Sequence, residues 1–168
     1  MSSKTRWLLF IILLLPLYGC NSPPESAMVT QIIDGDTIII EGGYHVRYIG
    51  IDTPEIYPKA EAFGIEAQEA NHRLVEGKQV RLERDFSERD RYGRLLRYVY
   101  VDDIFVNAEL VRQGLAEVKA YPPDIKYQDY LEEMEAEARN EERGMWAKAP
   151  TTSSYYIPYT QIIFVSLR

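Results

Sequence analysis

The segment from residue 34 to residue 55 constrains the fold most strongly. It contains two apolar, β-branched runs, residues 37–41 and 44–51, separated by Gly42 and Gly43. Such runs predict β-strands, and a Gly-Gly pair between them predicts a tight hairpin turn because glycine tolerates the positive φ that the turn needs. A hairpin here brings the beginning and the end of the segment to the same edge of a sheet.

Four acidic residues lie at the two ends of this hairpin. Asp34 and Asp36 precede the first strand, Asp52 and Glu55 follow the second, and Arg47 lies on the second strand. Carboxylates are ligands for hard cations, and the guanidinium of arginine binds phosphate. The cluster therefore indicates a site for a metal ion and a phosphate.

The first twenty residues are typical of an export signal. A basic start is followed by an apolar run at residues 7–17, which is shorter than the ~20 residues of a membrane-spanning helix. The sequence LYGC at residues 17–20 resembles the lipobox of bacterial lipoproteins, in which the cysteine is lipidated. We expect residues 1–20 to be a signal peptide with lipidation at Cys20, and residues 21–27 to be a tether. The alternative is an incidental cysteine in an uncleaved anchor. Both interpretations predict an exported protein held at the cell membrane or outer membrane of a bacterium.

The charge of the chain limits how it can bind a polyanion. The chain has a net charge of −7, and removing residues 1–20, which contain two basic and no acidic residues, leaves −9. An acidic protein does not attract nucleic acid through its overall field, so phosphate binding requires a metal ion or a local basic cluster. Four arginines are candidates for a local basic rim: Arg81, Arg84, Arg91 and Arg97.

Hydrophobic periodicity predicts an α+β domain that is mainly β. Besides the hairpin, we expect strands at residues 28–33, 78–83 and 94–101, and helices at residues 63–75, 108–113 and 125–143. Asn107 is the predicted N-cap of the second helix and Gly114 its C′ residue. Five strands and three helices predict a small β-barrel over residues 28–147. For the tail, residues 148–168, the sequence allows two alternatives: an added edge strand or disorder.

Five motifs then occur in a fixed order: DGDT (34–37), VRYIGIDTPE (46–55), DRYGR (90–94), VNAELVRQGLA (106–116) and RGMW (143–146). Together they resemble the staphylococcal nuclease, or thermonuclease, family over roughly residues 28–147. The resemblance implies a five-stranded OB-fold-type β-barrel with three helices. It also implies Ca²⁺-dependent hydrolysis of DNA or RNA, leaving 5′-hydroxyl and 3′-phosphate ends.

The resemblance also assigns a metal site. Asp36 and Asp52 match the two carboxylate ligands of Ca²⁺, and Thr53 matches the residue that supplies a backbone carbonyl. Asp34 is expected beside the metal, orienting water. Taken without the resemblance, the Asp-Gly-Asp sequence is more often a simple turn.

The remaining site residues follow from the same motifs. Glu55 matches the general base that activates water, and Arg47 and Arg94 match the arginines that hold the reacting phosphate. Tyr92 is expected to contact the nucleotide, with a tyrosine at the edge of the core as the alternative. The segment at residues 117–121 departs from the family pattern, in which aromatic residues lie near the base; Tyr121 is the candidate to replace them.

Two other functions compete with a nuclease. The same fold could be a non-catalytic module that binds nucleic acid or protein, or the chain could be a structural envelope lipoprotein whose tyrosine-rich tail binds a partner. The expected partners of the nuclease are nucleic acid as substrate and a membrane through the lipid, and we expect a monomer. Arg112 is interpreted as a structural salt-bridge residue, and His45 and His72 as surface residues.

Overall fold

The computed structural model describes residues 22–148. The predicted signal peptide with Cys20, the first residue of the tether and the tail beyond residue 148 lie outside the described residues. Within residues 22–148, no helix combines the length and the apolar character needed to cross a membrane.

The described chain alternates short strands with three α-helices. In order, the elements are β1 (Ser26–Ile32), β2 (Thr37–Ile40), β3 (Tyr44–Tyr48), β4 (Ile51–Asp52), α1 (Gly64–Val75), β5 (Gln79–Glu83), β6 (Leu95–Val101), β7 (Ile104–Phe105), α2 (Val106–Arg112), β8 (Glu117–Val118), α3 (Gln128–Asn140) and a 3₁₀ turn (Gly144–Trp146).

Five of these strands close into the predicted OB-fold-type barrel. Strand β1 pairs antiparallel with both β2 and β5, β2 pairs with β3, and β5 pairs with β6. The barrel closes because β3 and β6 pair in parallel, with Arg47 opposite Leu96. A separate two-stranded ladder joins β4 to β8. The predicted fold class is therefore confirmed.

The glycine turn that the sequence predicts is present between β2 and β3. Gly42 and Gly43 adopt φ values of 83° and 76°, and Ile40 pairs with Tyr44 across the turn. At the other end of the hairpin, Thr37 lies opposite Arg47. The hairpin thus brings the Asp-Gly-Asp turn next to the strand that carries the arginine.

The core fills the barrel and continues under the helices. In β3 and β5, buried apolar residues alternate with exposed or half-buried ones, as expected for strands with one face inside a barrel. The helices cover the barrel with small and branched side chains. Fully buried core residues include Ile38, Ile40, Val46, Val80, Leu95, Val99, Ala67, Val75, Leu110, Val111 and Leu131.

The structure corrects three local predictions. Strand β1 begins at Ser26, so the last two residues of the predicted tether belong to the barrel. Helix α3 spans 128–140 rather than 125–143, since the backbone N–H of Lys126 donates to Asp85 Oδ2 at 2.9 Å before the helix begins. Asn107 is not the N-cap, because α2 begins at Val106.

Asn107 connects three parts of the fold instead. Its side chain is fully buried; Nδ2 donates to the carbonyl of Ile49 at 2.9 Å and Oδ1 accepts from the N–H of Val99 at 3.0 Å. An amide in this position satisfies one donor and one acceptor inside the core. The prediction for Gly114 is confirmed, since its φ is 71° and its N–H donates to the carbonyl of Val111 at 2.8 Å.

Candidate active site

One cleft gathers almost all of the residues that the sequence singles out. It has a volume of about 520 Å³ and lies where the hairpin, the loop before β6 and the segment after β8 meet. Eight of the nine predicted metal, catalytic and substrate-binding residues line it: Asp34, Asp36, Arg47, Asp52, Glu55, Tyr92, Arg94 and Tyr121. The ninth, Thr53, is buried directly behind Asp36.

The Asp-Gly-Asp turn is held close to Thr53 and α1. A Cβ atom at Gly35 would lie 2.7 Å from Thr53 Cγ2 and 2.8 Å from Ala67 Cβ, so a larger residue does not fit. The Asp34 carboxylate accepts a hydrogen bond from the N–H of Asp36 at 3.0 Å, and Asn71 Nδ2 donates to the carbonyl of Asp34 at 3.0 Å. These contacts fix the backbone of the turn and therefore the direction of the Asp36 side chain.

Asp36 is a buried carboxylate with several donors. Its Oδ2 accepts hydrogen bonds from the N–H and the Oγ1 of Thr53, at 2.8 and 3.1 Å, and its Oδ1 accepts from Thr37 Oγ1 at 3.2 Å. Burial raises the pKa of Asp36 to about 6, although Arg47 opposes this change. A cation near this carboxylate would therefore stabilise its ionised form.

Arg47 connects the two predicted metal ligands. Its Nη1 lies 2.5 Å from Asp36 Oδ2 and its Nη2 lies 2.6 Å from Asp52 Oδ1. The side chain of Arg47 is only 13% exposed. One guanidinium therefore holds an oxygen of each acid, which places these two oxygens on either side of a single cationic group.

Lys119 was not identified from the sequence. Its Nζ lies 2.6 Å from Asp52 Oδ2, and the hydrogen bond to Asp52 raises the pKa of the lysine. Lys119 belongs to no recognised motif, and the residue reaches Asp52 only because β8 pairs with β4. The sequence carries no local signal for that pairing.

The donor set of this cleft fits a calcium ion. Oxygens of Asp36 and Asp52 lie on either side of the Arg47 guanidinium, and carboxylate oxygen is the donor type that Ca²⁺ prefers, at about 2.3–2.6 Å. No group of three or more histidine, cysteine, aspartate or glutamate side chains within residues 22–148 is arranged to hold a metal. Two carboxylates, the predicted carbonyl of Thr53, water and substrate oxygens would together complete a calcium shell.

Arg94 is positioned by a neighbour that the sequence analysis did not single out. Its Nε lies 2.7 Å from Asp90 Oδ2, and the N–H groups of Tyr92 and Arg94 donate to Asp90 Oδ1 at 2.9 and 3.0 Å. Burial alone would raise the pKa of Asp90, but the hydrogen bonds from Arg94 and Tyr92 lower it below its ordinary value. Asp90 thus uses Nε, and neither Nη of Arg94 is paired with an acid of the described chain.

Two tyrosines lie at the rim of the cleft. Tyr92 is 69% exposed and Tyr121 is 57% exposed, so both rings are available to a ligand. The exposure of Tyr92 contradicts the alternative that it is a tyrosine at the edge of the core. Arg91 Nη2 lies 2.7 Å from the Tyr92 hydroxyl, which adds a cation to this rim.

Glu55 is exposed and lies on a short, hydrogen-bonded loop. Its N–H donates to Glu61 Oε2 at 3.0 Å, and the N–H of Glu61 donates back to the carbonyl of Glu55 at 2.8 Å. Glu55 lines the cleft, and its carboxylate forms no ion pair with a cation of residues 22–148. It is therefore placed where it could accept a proton from water.

The predicted basic rim is largely wrong. Of its four arginines, Arg91 alone lines the cleft in the described structure. Arg97 is buried and lies 2.5 Å from Glu88 Oε1, and Arg84 lies 2.9 Å from the other oxygen of Glu88. Arg81 pairs with Glu83 at 3.2 Å. Acidic residues two to nine positions away in the sequence neutralise these side chains.

The predictions for Arg112, His45 and His72, three residues outside the predicted site, agree with the structure. Arg112 pairs with Glu109 on the same helix at 2.7 Å, as predicted for a structural residue. His45 and His72 are exposed, and neither lines the cleft.

Comparison with known proteins identifies the family of this chain. The model of the family described as staphylococcal nuclease homologue matches residues 45–148. The chain is 37% identical to a thermonuclease of Staphylococcus hyicus over 133 residues, covering 76% of this chain and 79% of that protein. It is 38% identical to a thermonuclease of Staphylococcus intermedius, covering 74% and 77%. It is 41% identical to endonuclease YncB of Bacillus subtilis, covering 74% and 63%. The chain belongs to the staphylococcal nuclease family.

Proposed function

We propose that the protein is a Ca²⁺-dependent nuclease that hydrolyses phosphodiester bonds of DNA or RNA, leaving 5′-hydroxyl and 3′-phosphate ends. One observation carries the proposal. Two aspartates, two arginines and a glutamate from two separate segments, residues 34–55 and the loop before β6, line a single cleft. The relatives named thermonuclease and endonuclease support the same reaction class.

The two arginines are suited to bind the reacting phosphate. Guanidinium groups form paired, charge-assisted hydrogen bonds with phosphate oxygens and do not lose their proton. Asp90 holds Arg94 by Nε, which leaves the Nη groups for phosphate. Negative charge increases on the phosphoryl oxygens in the transition state, so cations held in advance stabilise that state more than the ground state.

Glu55 is the proposed general base. Its carboxylate accepts a proton from a water molecule as the water oxygen forms a bond to phosphorus and the bond from phosphorus to the 5′ oxygen breaks. The departing 5′ oxygen takes up a proton from solvent water and becomes a hydroxyl, while the phosphate stays on the 3′ side. A bound calcium ion would supply positive charge beside the phosphate and the attacking water.

Arg47 has two roles in this proposal. In the structure it neutralises Asp36 and Asp52, so it is not available to a phosphate in this arrangement. Binding of a cation by these two acids would remove the need for that ion pair. Arg47 could then turn to the phosphate while staying in the same cleft.

The site explains how an acidic protein could bind a polyanion. Among residues 22–148, Arg47, Arg91 and Arg94 line the cleft, and Lys119 contacts the cleft residue Asp52. Arg47 and Lys119 are paired with the acids that would hold the cation. We therefore propose weak, local binding rather than capture by an extended basic surface.

We further propose that the protein is an exported monomer, lipid-anchored through Cys20. The order of basic start, apolar run and cysteine supports this location. Expression in a bacterial host, followed by mass measurement of the mature N-terminal peptide, tests the anchor. A diacylglyceryl group on Cys20 is expected in the membrane fraction, and an unprocessed Met1 terminus would contradict it.

The activity is tested with the full chain, DNA and RNA substrates, and either calcium or a calcium chelator. We expect calcium-dependent cleavage, and a loss of about 10²- to 10³-fold in kcat for Arg94→Ala. Glu55→Gln removes the base while keeping the size of the side chain, and it should also reduce kcat strongly. Binding of nucleic acid without cleavage by the unaltered protein would favour the non-catalytic module instead.

A further inference from the structure

Lys119 contacts the cleft residue Asp52, and the proposed chemistry does not use it. Its Nζ lies 2.6 Å from Asp52 Oδ2, while the other oxygen of Asp52 is held by Arg47 at 2.6 Å. Both oxygens of this carboxylate are therefore bound by positive side chains. Arg47 belongs to a family motif, whereas Lys119 lies in the segment at 117–121 where the sequence departs from the family pattern.

The backbone places Lys119 at this position. In the β4–β8 ladder, Ile51 pairs with Val118 and Asp52 pairs with Glu117. The N–H of Lys119 donates to the carbonyl of Gly50 at 2.9 Å, which continues the pairing by one residue. The lysine is therefore fixed at its backbone next to the acid that it contacts.

The side chain of Lys119 can leave Asp52 more easily than Arg47 can. The side chain of Lys119 is 51% exposed, whereas that of Arg47 is 13% exposed. An exposed ion pair is weak because water solvates both partners. Lys119 can thus exchange Asp52 for solvent when another cation binds the carboxylate.

We propose that Lys119 is a resident counterion of Asp52 that competes with the divalent cation and so sets the cation affinity of the cleft. This inference rests on the proposed calcium site. Two effects act in the same direction: the lysine binds one oxygen of a carboxylate that would hold the metal, and its positive charge repels a nearby divalent cation. Removing the charge should therefore strengthen calcium binding.

Calcium titration of the metal-free full chain by calorimetry, without nucleic acid, tests this proposal. Lys119→Met removes the charge and keeps most of the aliphatic stem, and we expect its Kd for calcium to fall by about threefold to tenfold. Lys119→Arg keeps the charge and should bind calcium within about twofold of the unaltered protein.

Lys126→Met is the matched control. Lys126 has the same side-chain exposure, 51%, and is also bound to an acid, but this acid is Glu83, outside the cleft. Its removal changes the net charge of the protein equally, so its calcium affinity should stay close to that of the unaltered protein. Thermal unfolding in chelator shows whether each variant is folded.

The outcomes separate the two proposals. If the unaltered protein binds calcium and folded Lys119→Met binds it no more tightly, the role of Lys119 is wrong and the calcium site stands. An equal gain in affinity for Lys119→Met and Lys126→Met would also overturn the specific role of Lys119. If the unaltered protein and Lys119→Met both fail to bind calcium, both proposals are overturned.

Discussion

Asp36 is buried, and the guanidinium of Arg47 links it to a second acid, Asp52. Its environment therefore differs strongly from that of a surface carboxylate. Burial raises its pKa to about 6, so its ionised form is less favoured in the metal-free protein than that of a surface aspartate. A divalent cation would keep Asp36 ionised and would stabilise the folded state, because the unfolded chain lacks the site.

We therefore expect Asp36→Asn to lose the stabilisation by calcium. At a calcium concentration of about 100 times Kd, ligand binding adds about 2.7 kcal/mol, which raises the Tm of a domain of this size by about 5–10 °C. Thermal unfolding with calcium and with chelator measures this effect. The unaltered protein should show the rise and Asp36→Asn should not. An equal rise in both would place the calcium elsewhere.

Glu88 stabilises a buried arginine rather than the site. Its hydrogen bond to Arg97, whose side chain is 4% exposed, is the largest cause that lowers the pKa of Glu88. A carboxylate with a lowered pKa in the folded state contributes stability above its unfolded pKa of about 4.5, and this contribution is lost as the pH falls through the lower, folded value.

The expected effect of Glu88→Gln is a pH-dependent loss of stability. We expect a loss of about 1–2 kcal/mol at pH 7, reduced by the partial exposure of Glu88, and a smaller difference from the unaltered protein near pH 3. Denaturant unfolding at both pH values measures the two free energies of unfolding. A difference that does not change with pH would show that the charge of Glu88 is unimportant.

At the scale of elements, the end of α2 packs against the turn that follows α3. A Cβ atom at Gly114 would lie 2.2 Å from the carbonyl oxygen of Arg143, and the φ of Gly114 is 71°. The N–H of Met145 donates to the carbonyl of Gly114 at 2.9 Å. This backbone contact leaves no room for a side chain.

Gly114→Ala should therefore be more destabilising than the same change at Gly77. Gly77 follows α1 with a φ of 61°, but a Cβ atom there meets nothing within 4 Å. We expect a loss of about 1 kcal/mol at Gly77 from backbone strain alone, and of about 3 kcal/mol or more at Gly114. Denaturant unfolding compares the two variants, and equal losses would show that the close packing is unimportant.

Features that depend on local backbone conformation were predicted better than features that depend on tertiary contacts. The Gly-Gly hairpin and the C′ role of Gly114 depend on local backbone conformation, so a single segment was enough to predict them. Asn107 was misassigned because N-cap preference is local, whereas its hydrogen bonds to Val99 and Ile49 come from the tertiary fold. Helix α3 was predicted too long because the periodicity continued through residues whose backbone contacts a distant loop.

At the scale of the molecule, the site depends on how the barrel closes. The parallel pairing of β3 with β6 brings the loop carrying Arg94 next to the hairpin carrying Arg47. The family motifs identified these residues, but no local pattern predicted this pairing or the β4–β8 ladder that delivers Lys119. The predicted basic rim failed partly for the same reason, since Glu88 reaches Arg97 on β6 through the fold, whereas Glu83 lies only two residues from Arg81 on the same strand.

The charge distribution predicts a shallow salt dependence. If Arg47, Arg94 and Arg91 account for the phosphate contacts, the logarithm of the binding constant for single-stranded DNA should fall with the logarithm of salt concentration with a slope of about −2. Fluorescence anisotropy of a labelled oligonucleotide, with Glu55→Gln to prevent cleavage, measures this slope. A slope steeper than about −5 would indicate an extended basic surface instead.

The central claim is that this cleft is a calcium-dependent nuclease centre, and end-group analysis of the products tests it most directly. The full chain is incubated with a defined oligonucleotide, with calcium or with a chelator, and the products are identified by mass. We predict cleavage in calcium alone, with a 5′-hydroxyl on one product and a 3′-phosphate on the other. Cleavage that persists in chelator, or products with 5′-phosphates, would contradict the account.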